Sequence, residues 1–264
     1  MLETPFHPRT AALCESHQRR DWVGYRVPSC YEPTHEREYF AIRNSAGLID
    51  VSPLFKYDVT GPGAERLLDC VMTRDVTRCR VGQVLYGPWC DERGKVIQDG
   101  NLVRMAEDRF RLSAAEPTLR WLEDCGRGLD AKVVDRSEEI AVLALQGPRA
   151  RAILEQVVVG VDLGRLRFFR AAEARFGGDP VHITRTGFTG DLGYELWVGR
   201  DDALLLWDRL FDVGRDHGLQ AVGMIALDQT RIEAGLPLLE VDFLSAPHAY
   251  LEPRESSPLE LGLD

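Results

Sequence analysis

The stretch FKYDVTGPGAERLLDCV, residues 55–71, joins a strand pattern to a helix pattern through one Gly-Pro pair. Phe55, Tyr57 and Val59 alternate with polar residues, which is typical of a half-buried strand. After Gly61 and Pro62, apolar residues recur at helical spacing as far as residue 71. Proline is favoured at a helix start, because its missing N–H has no helical partner there. The stretch therefore predicts a strand, a turn and a helix.

The same order recurs in VLALQGPRARAILEQVV, residues 142–158, where Gly147-Pro148 separates a strand pattern from a helix pattern. Two matching units indicate an internal duplication. Between them, QVLYGPWC, KVIQDGNLVRM and FRLSAA are separated by short polar turns, which predicts antiparallel strands. The expected fold class is α+β, with two interlocked lobes, antiparallel sheets and flanking helices.

Composition narrows the class of protein. The chain has 264 residues, of which 44% are hydrophobic and 28% charged, as in ordinary globular enzymes. Its net charge of −10 repels nucleic acid and acidic membranes, so neither is an expected partner. No apolar run reaches membrane-spanning length and the first residues lack a signal-peptide pattern, so a cytoplasmic protein is expected. The six cysteines form no C-x-x-C pair and the six histidines are scattered, so we expect reduced thiols and no metal site.

A second informative segment is TRTGFTGDLGYEL, residues 184–196, with glycines at 187, 190 and 193. Phosphate binding is disfavoured, because no Gly-Lys-Ser/Thr opens a helix here and GYELWV has a strand pattern. Two interpretations stay open. The glycines supply positive φ angles in a turn-rich connection where Asp191 caps a turn. Alternatively, the backbone approaches a flat ligand, while Glu195 accepts two N–H groups from an amidine-like ring edge such as that of a pterin.

Four blocks in order carry a family resemblance: LIDVSPLFKYDVTGPGA, LALQGP, RTGFTGDLGYEL and ALDQTRIEAGLPL. They resemble the aminomethyltransferase family, which includes the glycine cleavage T-proteins and folate-dependent demethylases, over about residues 34 to 240. The resemblance implies two α+β lobes enclosing tetrahydrofolate. Residues 1–52 and 141–245 would form the folate-binding lobe and 53–140 the second lobe. Residues 246–264 would begin a connection to a C-terminal β domain that this sequence lacks.

The resemblance also implies residues of a folate site. Glu195 matches the glutamate that binds the pterin, and Leu54 and Leu85 match apolar contacts to the folate. Phe188 occupies the place of a tyrosine in the family's glycine loop, and Tyr194 directly precedes Glu195. All five are expected at the cofactor.

The catalytic block differs from the family pattern. The family's catalytic aspartate, the first of an Asp-Asp pair, is matched by Gln98, and the second by Asp99. Gln98 cannot ionise and so cannot act as a general base. Asp99 could replace the missing carboxylate only if the strand shifted, because adjacent side chains point to opposite faces. Gln98, Asp99 and Tyr86 are the candidate catalytic residues, and Trp89 is expected on the substrate side.

Two further departures bear on the reaction. Leu227 replaces a family arginine on the substrate side, and Ala114 replaces an asparagine near the folate. These changes argue against glycine cleavage. The leading hypothesis is therefore a demethylase-like enzyme that moves a methyl group from an O-, S- or N-methyl small molecule to tetrahydrofolate. The alternatives are an aminomethyltransferase with a lipoyl carrier protein as partner, and a non-catalytic folate-binding or regulatory protein.

Overall fold

The computed structural model describes residues 1–263 as a mixed α+β fold. Its α-helices are α1 (His7–Leu13), α2 (Glu36–Asn44), α3 (Ala64–Val71), α4 (Leu119–Cys125), α5 (Ala150–Leu154), α6 (Ala203–Gly214) and α7 (Met224–Glu233). Its strands are β1 (Arg19–Trp22), β2 (Tyr25–Pro28), β3 (Ala46–Asp50), β4 (Phe55–Thr60), β5 (Val84–Cys90), β6 (Val96–Ala106), β7 (Arg109–Ala114), β8 (Lys132–Asp135), β9 (Ile140–Gln146), β10 (Ala171–Phe176), β11 (Asp179–Thr184), β12 (Gly193–Gly199) and β13 (Leu219–Ala221). No helix among these residues is long and apolar enough to cross a membrane.

The chain divides into two units. The first contains residues 1–53 and 138–236, and the second contains residues 54–137 and those from 237 on. The family resemblance implies that residues 237–245 belong to the folate-binding lobe and residues 246–264 to a connection. In the structure, the described part of both segments belongs to the second unit. Leu239 and Phe243 cause this difference, because they pack in a small apolar cluster with Val96 of β6. Asp264 lies outside the described residues.

The first unit is built on a six-stranded sheet with the order β10-β11-β12-β9-β3-β13. Its neighbouring strands are antiparallel except for the parallel pair β13 and β3. Alternate residues of β9 and β12, including Leu143, Leu145, Tyr194 and Leu196, belong to the main core of this unit. The intervening residues of these strands therefore face the other side of the sheet.

The second unit contains an antiparallel sheet with the order β5-β6-β7-β4-β8. The core of this unit joins the sheet to α3 and α4 through residues such as Leu67, Leu102, Leu112 and Leu122. The strands predicted in QVLYGPWC, KVIQDGNLVRM and FRLSAA are present as β5, β6 and β7. The predicted α+β class with antiparallel sheets and flanking helices is confirmed.

The two Gly-Pro pairs have the same local geometry. Gly61 and Gly147 have φ angles of +108° and +123°, which favour glycine. The helices begin at Ala64 and Ala150, so each proline precedes the helix instead of starting it, contrary to the prediction. In both copies the alanine N–H donates to the glycine carbonyl at 3.0 Å, and this turn places proline at its second position, where a fixed φ fits.

Candidate functional site

Glu195 lies on β12, on the face of the sheet opposite the main core. It is directly opposite Thr184 of β11, and the Thr184 hydroxyl donates to its Oε2 at 3.4 Å. Thr184 and Thr186 hydrogen-bond to each other at 2.6 Å. Within residues 1–263, no Lys, Arg or His forms a salt bridge with Glu195. Burial raises the pKa of Glu195 to about 7, against the opposing effect of the two threonine hydroxyls.

The glycines before Glu195 pack against a buried amide. A Cβ atom on Gly187 would lie 2.0 Å from Oε1 of Gln146, and one on Gly193 would lie 2.2 Å from the same atom. Gln146 is 0% exposed and its Oε1 accepts a hydrogen bond from Thr189 at 3.0 Å. Gly187 and Gly193 are therefore required for space. Of the three glycines, positive φ occurs at Gly190 alone.

Arg43 of α2 holds the glycine loop from outside the sheet. Its guanidinium donates to the Thr189 carbonyl at 2.8 Å and pairs with the Asp191 carboxylate. It also pairs with Glu233 of α7 at 2.6 Å. Among residues 1–263 the Asp191 carboxylate pairs with Arg43 and accepts no backbone N–H of the turn, so the part of the turn interpretation that concerns Asp191 is corrected. These contacts hold the loop at Thr189 and Asp191.

The other cofactor candidates of this unit are placed differently from Glu195. Tyr194 points into the main core and is fully buried, with its hydroxyl 3.4 Å from Nε of Arg151. Because neighbouring residues of a strand face opposite sides, Tyr194 cannot line the same site as Glu195, contrary to the expectation. Phe188 is half-buried in the glycine loop, and Leu227 is buried on α7.

In the second unit, the Tyr86 hydroxyl donates to Oδ2 of Asp99 at 2.6 Å. Burial raises the pKa of Asp99, and the hydrogen bond from Tyr86 opposes this rise. The pKa of Tyr86 is also raised, first by burial and then by the charge of Asp99. A carboxyl group whose proton affinity is raised by burial, and which is held by a phenol, is suited to general acid–base chemistry.

Gln98 lies on the other face of β6 from Asp99. It is 3% exposed, it is directly opposite Trp89, and its amide donates to the Glu116 carbonyl at 3.2 Å. Trp89 is completely buried in the core of the second unit, so it is a packing residue and not a substrate contact as expected. Strand alternation separates Gln98 from Asp99, as the sequence predicts. The carboxylate beside Tyr86 is Asp99.

The remaining candidates in this unit are apolar. Ala114 is buried in the core, where its strand position pairs with Gly100 and Phe55. Leu85 packs against the same core and is half-buried. Leu54 is half-buried and precedes β4. The structure thus assigns Ala114 to packing and leaves parts of Leu54 and Leu85 accessible.

Several polar residues near these positions were not identified from the sequence. Thr184, Thr186 and Gln146 surround Glu195 or its loop, and alternation within TRT was the available signal for the two threonines. Near Gln98, the pKa of Glu116 is raised by burial and then by the charge of Glu240. The segment carrying Glu240 has no periodicity that would have placed it there.

Metal ligands are not brought together in the part of the chain that the structure describes. No group of three or more His, Cys, Asp or Glu residues could hold an ion there. The cysteines are free thiols. The arrangement therefore offers carboxylates and hydroxyls as its reactive groups.

Comparisons with known proteins point to one family. A family profile described as the GCVT N-terminal domain matches residues 15–262. The chain is 37% identical over 247 residues to an aminomethyltransferase of Halothermothrix orenii, covering 92% of this chain and 66% of that protein. It is 34% identical over 252 residues to a trimethylamine-oxide aldolase of Ruegeria pomeroyi, covering 91% of this chain and 32% of that protein.

A solved structure gives the same result. The aminomethyltransferase T of the glycine cleavage system from Bartonella henselae is 30% identical, with a TM-score of 0.81. The match covers 90% of this chain and 64% of that one. The chain therefore spans less than two thirds of the length of these aminomethyltransferases. The family resemblance predicted from the four sequence blocks is confirmed.

Proposed function

Because the chain belongs to the GCVT N-terminal domain family, we propose that it is a tetrahydrofolate-dependent one-carbon transferase. The observation that carries the proposal is the partly buried Glu195 carboxylate, which is close to threonine hydroxyl groups and, within residues 1–263, forms no salt bridge with a cation. A carboxylate kept in this way needs N–H donors to stabilise its charge. An amidine-like ring edge supplies two of them.

The residues around Glu195 fit the pterin of tetrahydrofolate. Two N–H groups would bind the two carboxylate oxygens, while Thr184 and Thr186 hold the carboxylate in place. Because burial raises the pKa of Glu195 to about 7, the ionised acceptor form increases as the pH rises through that value. Binding of the ring is therefore expected to release a proton below pH 7.

Tetrahydrofolate, when bound, supplies the nitrogen nucleophile that accepts the one-carbon unit. The Tyr86–Asp99 pair of the second unit is the proposed proton carrier. Asp99 would donate its proton to the donor's heteroatom as the bond from that heteroatom to the one-carbon unit breaks, and it would regain the proton that the acceptor nitrogen loses. The Tyr86 hydroxyl, 2.6 Å from Oδ2 of Asp99, would fix the orientation of the carboxyl. Gln98 has no part in this step, because its amide is buried on the other face.

For the donor, we propose an O-, S- or N-methyl small molecule. Leu227 supports this choice, because a buried leucine offers no charge for an anionic group where the resemblance implies an arginine. One relative is named for trimethylamine oxide. The second candidate is aminomethyl transfer from a lipoyl carrier protein, which the retained Asp99 and the 37% identity to an aminomethyltransferase favour.

A product assay distinguishes the two donors. The full chain would be incubated with tetrahydrofolate and either methylated small molecules or an aminomethyl-lipoyl carrier protein, and the folate product identified by mass. An N-methylated folate, heavier than tetrahydrofolate by one CH2 unit and formed from a small molecule, would support the proposal. A methylene-bridged folate formed with the carrier protein would establish the second candidate. If the chain turns over no donor of either class, it is not a transferase by itself.

The pKa of Glu195 gives a stability prediction. Its pKa is about 7 in the folded protein and 4.5 as the ordinary value, so the folded state holds the proton more tightly than the unfolded state between these pH values. The free energy of unfolding of the wild type should therefore fall, relative to Glu195→Gln, as the pH rises from about 4.5 to about 7. The expected change is at most about 3 kcal/mol. Urea unfolding of both proteins at several pH values measures it.

Glu155→Gln is the control for this prediction, because Glu155 is an exposed carboxylate of the same unit. The difference in the free energy of unfolding between Glu155→Gln and the wild type should stay nearly constant over the same pH range. A constant difference for Glu195→Gln as well would show that Glu195 is not desolvated in the folded protein.

A further inference from the structure

Two buried nitrogen atoms, on residues that neighbour Glu195 in the sheet, have no hydrogen-bond partner among residues 1–263. They are Nε1 of Trp197 on β12 and Nε2 of His182 on β11. The two side chains are 4% and 7% exposed, respectively. An unpaired buried donor or acceptor typically loses its bonds to water without replacement, so it is uncommon in folded proteins. Two such atoms at adjacent positions therefore call for an explanation.

The strand register places both residues beside the site already described. His182 is directly opposite Trp197, and the next pair on the same face is Thr184 and Glu195. Positions two residues apart on a strand share a face and are separated by about 6.6 Å. Glu195, Trp197 and His182 therefore form one continuous polar row on a single sheet face, and all of it belongs to the first unit.

The chemistry of the row specifies what can bind there. The indole Nε1–H of Trp197 only donates, so its partner must be an acceptor. Nδ1 of His182 lies 2.9 Å from the Glu173 carboxylate, which accepts a hydrogen and leaves Nε2 of the neutral ring as an acceptor. The complementary ligand therefore carries a hydrogen-bond acceptor for Trp197 beside a donor for His182. About 6.6 Å along the strand, the same ligand carries the N–H groups that bind the Glu195 carboxylate.

We propose that Trp197 and His182 are ligand-binding residues that extend the Glu195 site and hydrogen-bond the oxo and N–H groups of a nitrogen heterocycle. This inference rests on the proposed function, in which the heterocycle is the reduced pterin of tetrahydrofolate. Glu195 accepts N–H groups at one end of the row, and Trp197 and His182 bind polar groups further along it. The two residues then set the position of the ring along the sheet.

The indole N–H signals test this assignment directly. The chain has five tryptophans, whose Nε1–H cross-peaks can be followed in a 15N-labelled sample during anaerobic titration with tetrahydrofolate. The Trp197 peak, identified by its loss in Trp197→Phe, should move downfield and exchange more slowly with solvent. Trp121 is the internal control, because its Nε1 is also buried and unpartnered but lies in the second unit.

Binding measurements on variants give a second test. Trp197→Phe and His182→Leu should each weaken tetrahydrofolate binding about three- to tenfold, since each loses one hydrogen bond. His182→Gln, whose amide can reach the place of Nε2, should bind more tightly than His182→Leu. Trp121→Phe should bind as the wild type does.

The outcomes separate this inference from the proposed function. If Glu195→Gln loses binding while Trp197→Phe and His182→Leu bind normally, and the Trp197 peak does not move, the proposed function stands and this inference is wrong. If the folded wild type does not bind tetrahydrofolate, both are wrong. If a variant fails to fold, the Trp197 peak of the wild type still decides the question.

Discussion

Asp99→Asn should lower the rate of one-carbon transfer by about 10²- to 10⁴-fold while leaving the affinity for tetrahydrofolate unchanged. The reason is the position of Asp99, whose carboxyl is partly buried, has a raised pKa and accepts a hydrogen bond from the Tyr86 hydroxyl at 2.6 Å. Asparagine keeps the shape of this side chain but cannot transfer a proton. Single-turnover kinetics with saturating ligand measure the rate, and Asp130→Asn, an exposed position of the same unit, is the control.

Tyr86→Phe tests the same assignment through the pH dependence of the transfer rate. The Tyr86 hydroxyl lowers the pKa of Asp99, so its removal should raise that pKa further. The limb of the pH–rate profile that Asp99 controls should then move to higher pH. An Asp99→Asn protein with the wild-type rate would contradict the assignment, and an unchanged pH profile in Tyr86→Phe would show that the pair is not coupled during turnover.

The second large effect is expected for Gly193→Ala, which should lower the free energy of unfolding by about 3 kcal/mol or more. The new Cβ would lie 2.2 Å from Oε1 and 2.4 Å from Cδ of Gln146. Gln146 cannot move aside easily, because it is fully buried and bound to Thr189. Urea unfolding at fixed pH measures the change.

Two variants sharpen this test. Gly164→Ala should cost less than about 1 kcal/mol, because its nearest neighbour is the movable end of the Asp162 side chain at 3.2 Å. In the double variant Gly193→Ala with Gln146→Ala, the two destabilisations should not add, since the second change removes the atoms that clash. Strict additivity, or a Gly193→Ala protein as stable as the wild type, would contradict the packing described here.

The strand–turn–helix segments of the fold could be predicted, because local sequence patterns determine them. Alternation in β4 and the Gly-Pro turns of residues 61 and 147 are visible in short windows, and both turns require glycine. The segment from residue 237 on could not be placed in this way. Its association with β6 depends on Leu239 and Phe243, two apolar residues that lie in neither a helix nor a strand.

The candidate site shows a different limit. Sequence matching selected the important block at Gln98 and Asp99, but matching by position did not decide which side chain lies beside Tyr86. Strand alternation decides it, and the alternation becomes informative only when the pairing of β5 with β6 is known. The role of Gln146 was similarly hidden, because it depends on the glycines of a distant segment.

Calorimetric titration of the chain with tetrahydrofolate, under anaerobic conditions, tests the central claim most directly. We expect one saturable site, whose affinity falls at least about tenfold in Glu195→Gln, because charge-assisted hydrogen bonds are lost. Glu155→Gln should bind as the wild type does. Equal binding by the wild type and Glu195→Gln, or no binding by the folded wild type, would contradict the account.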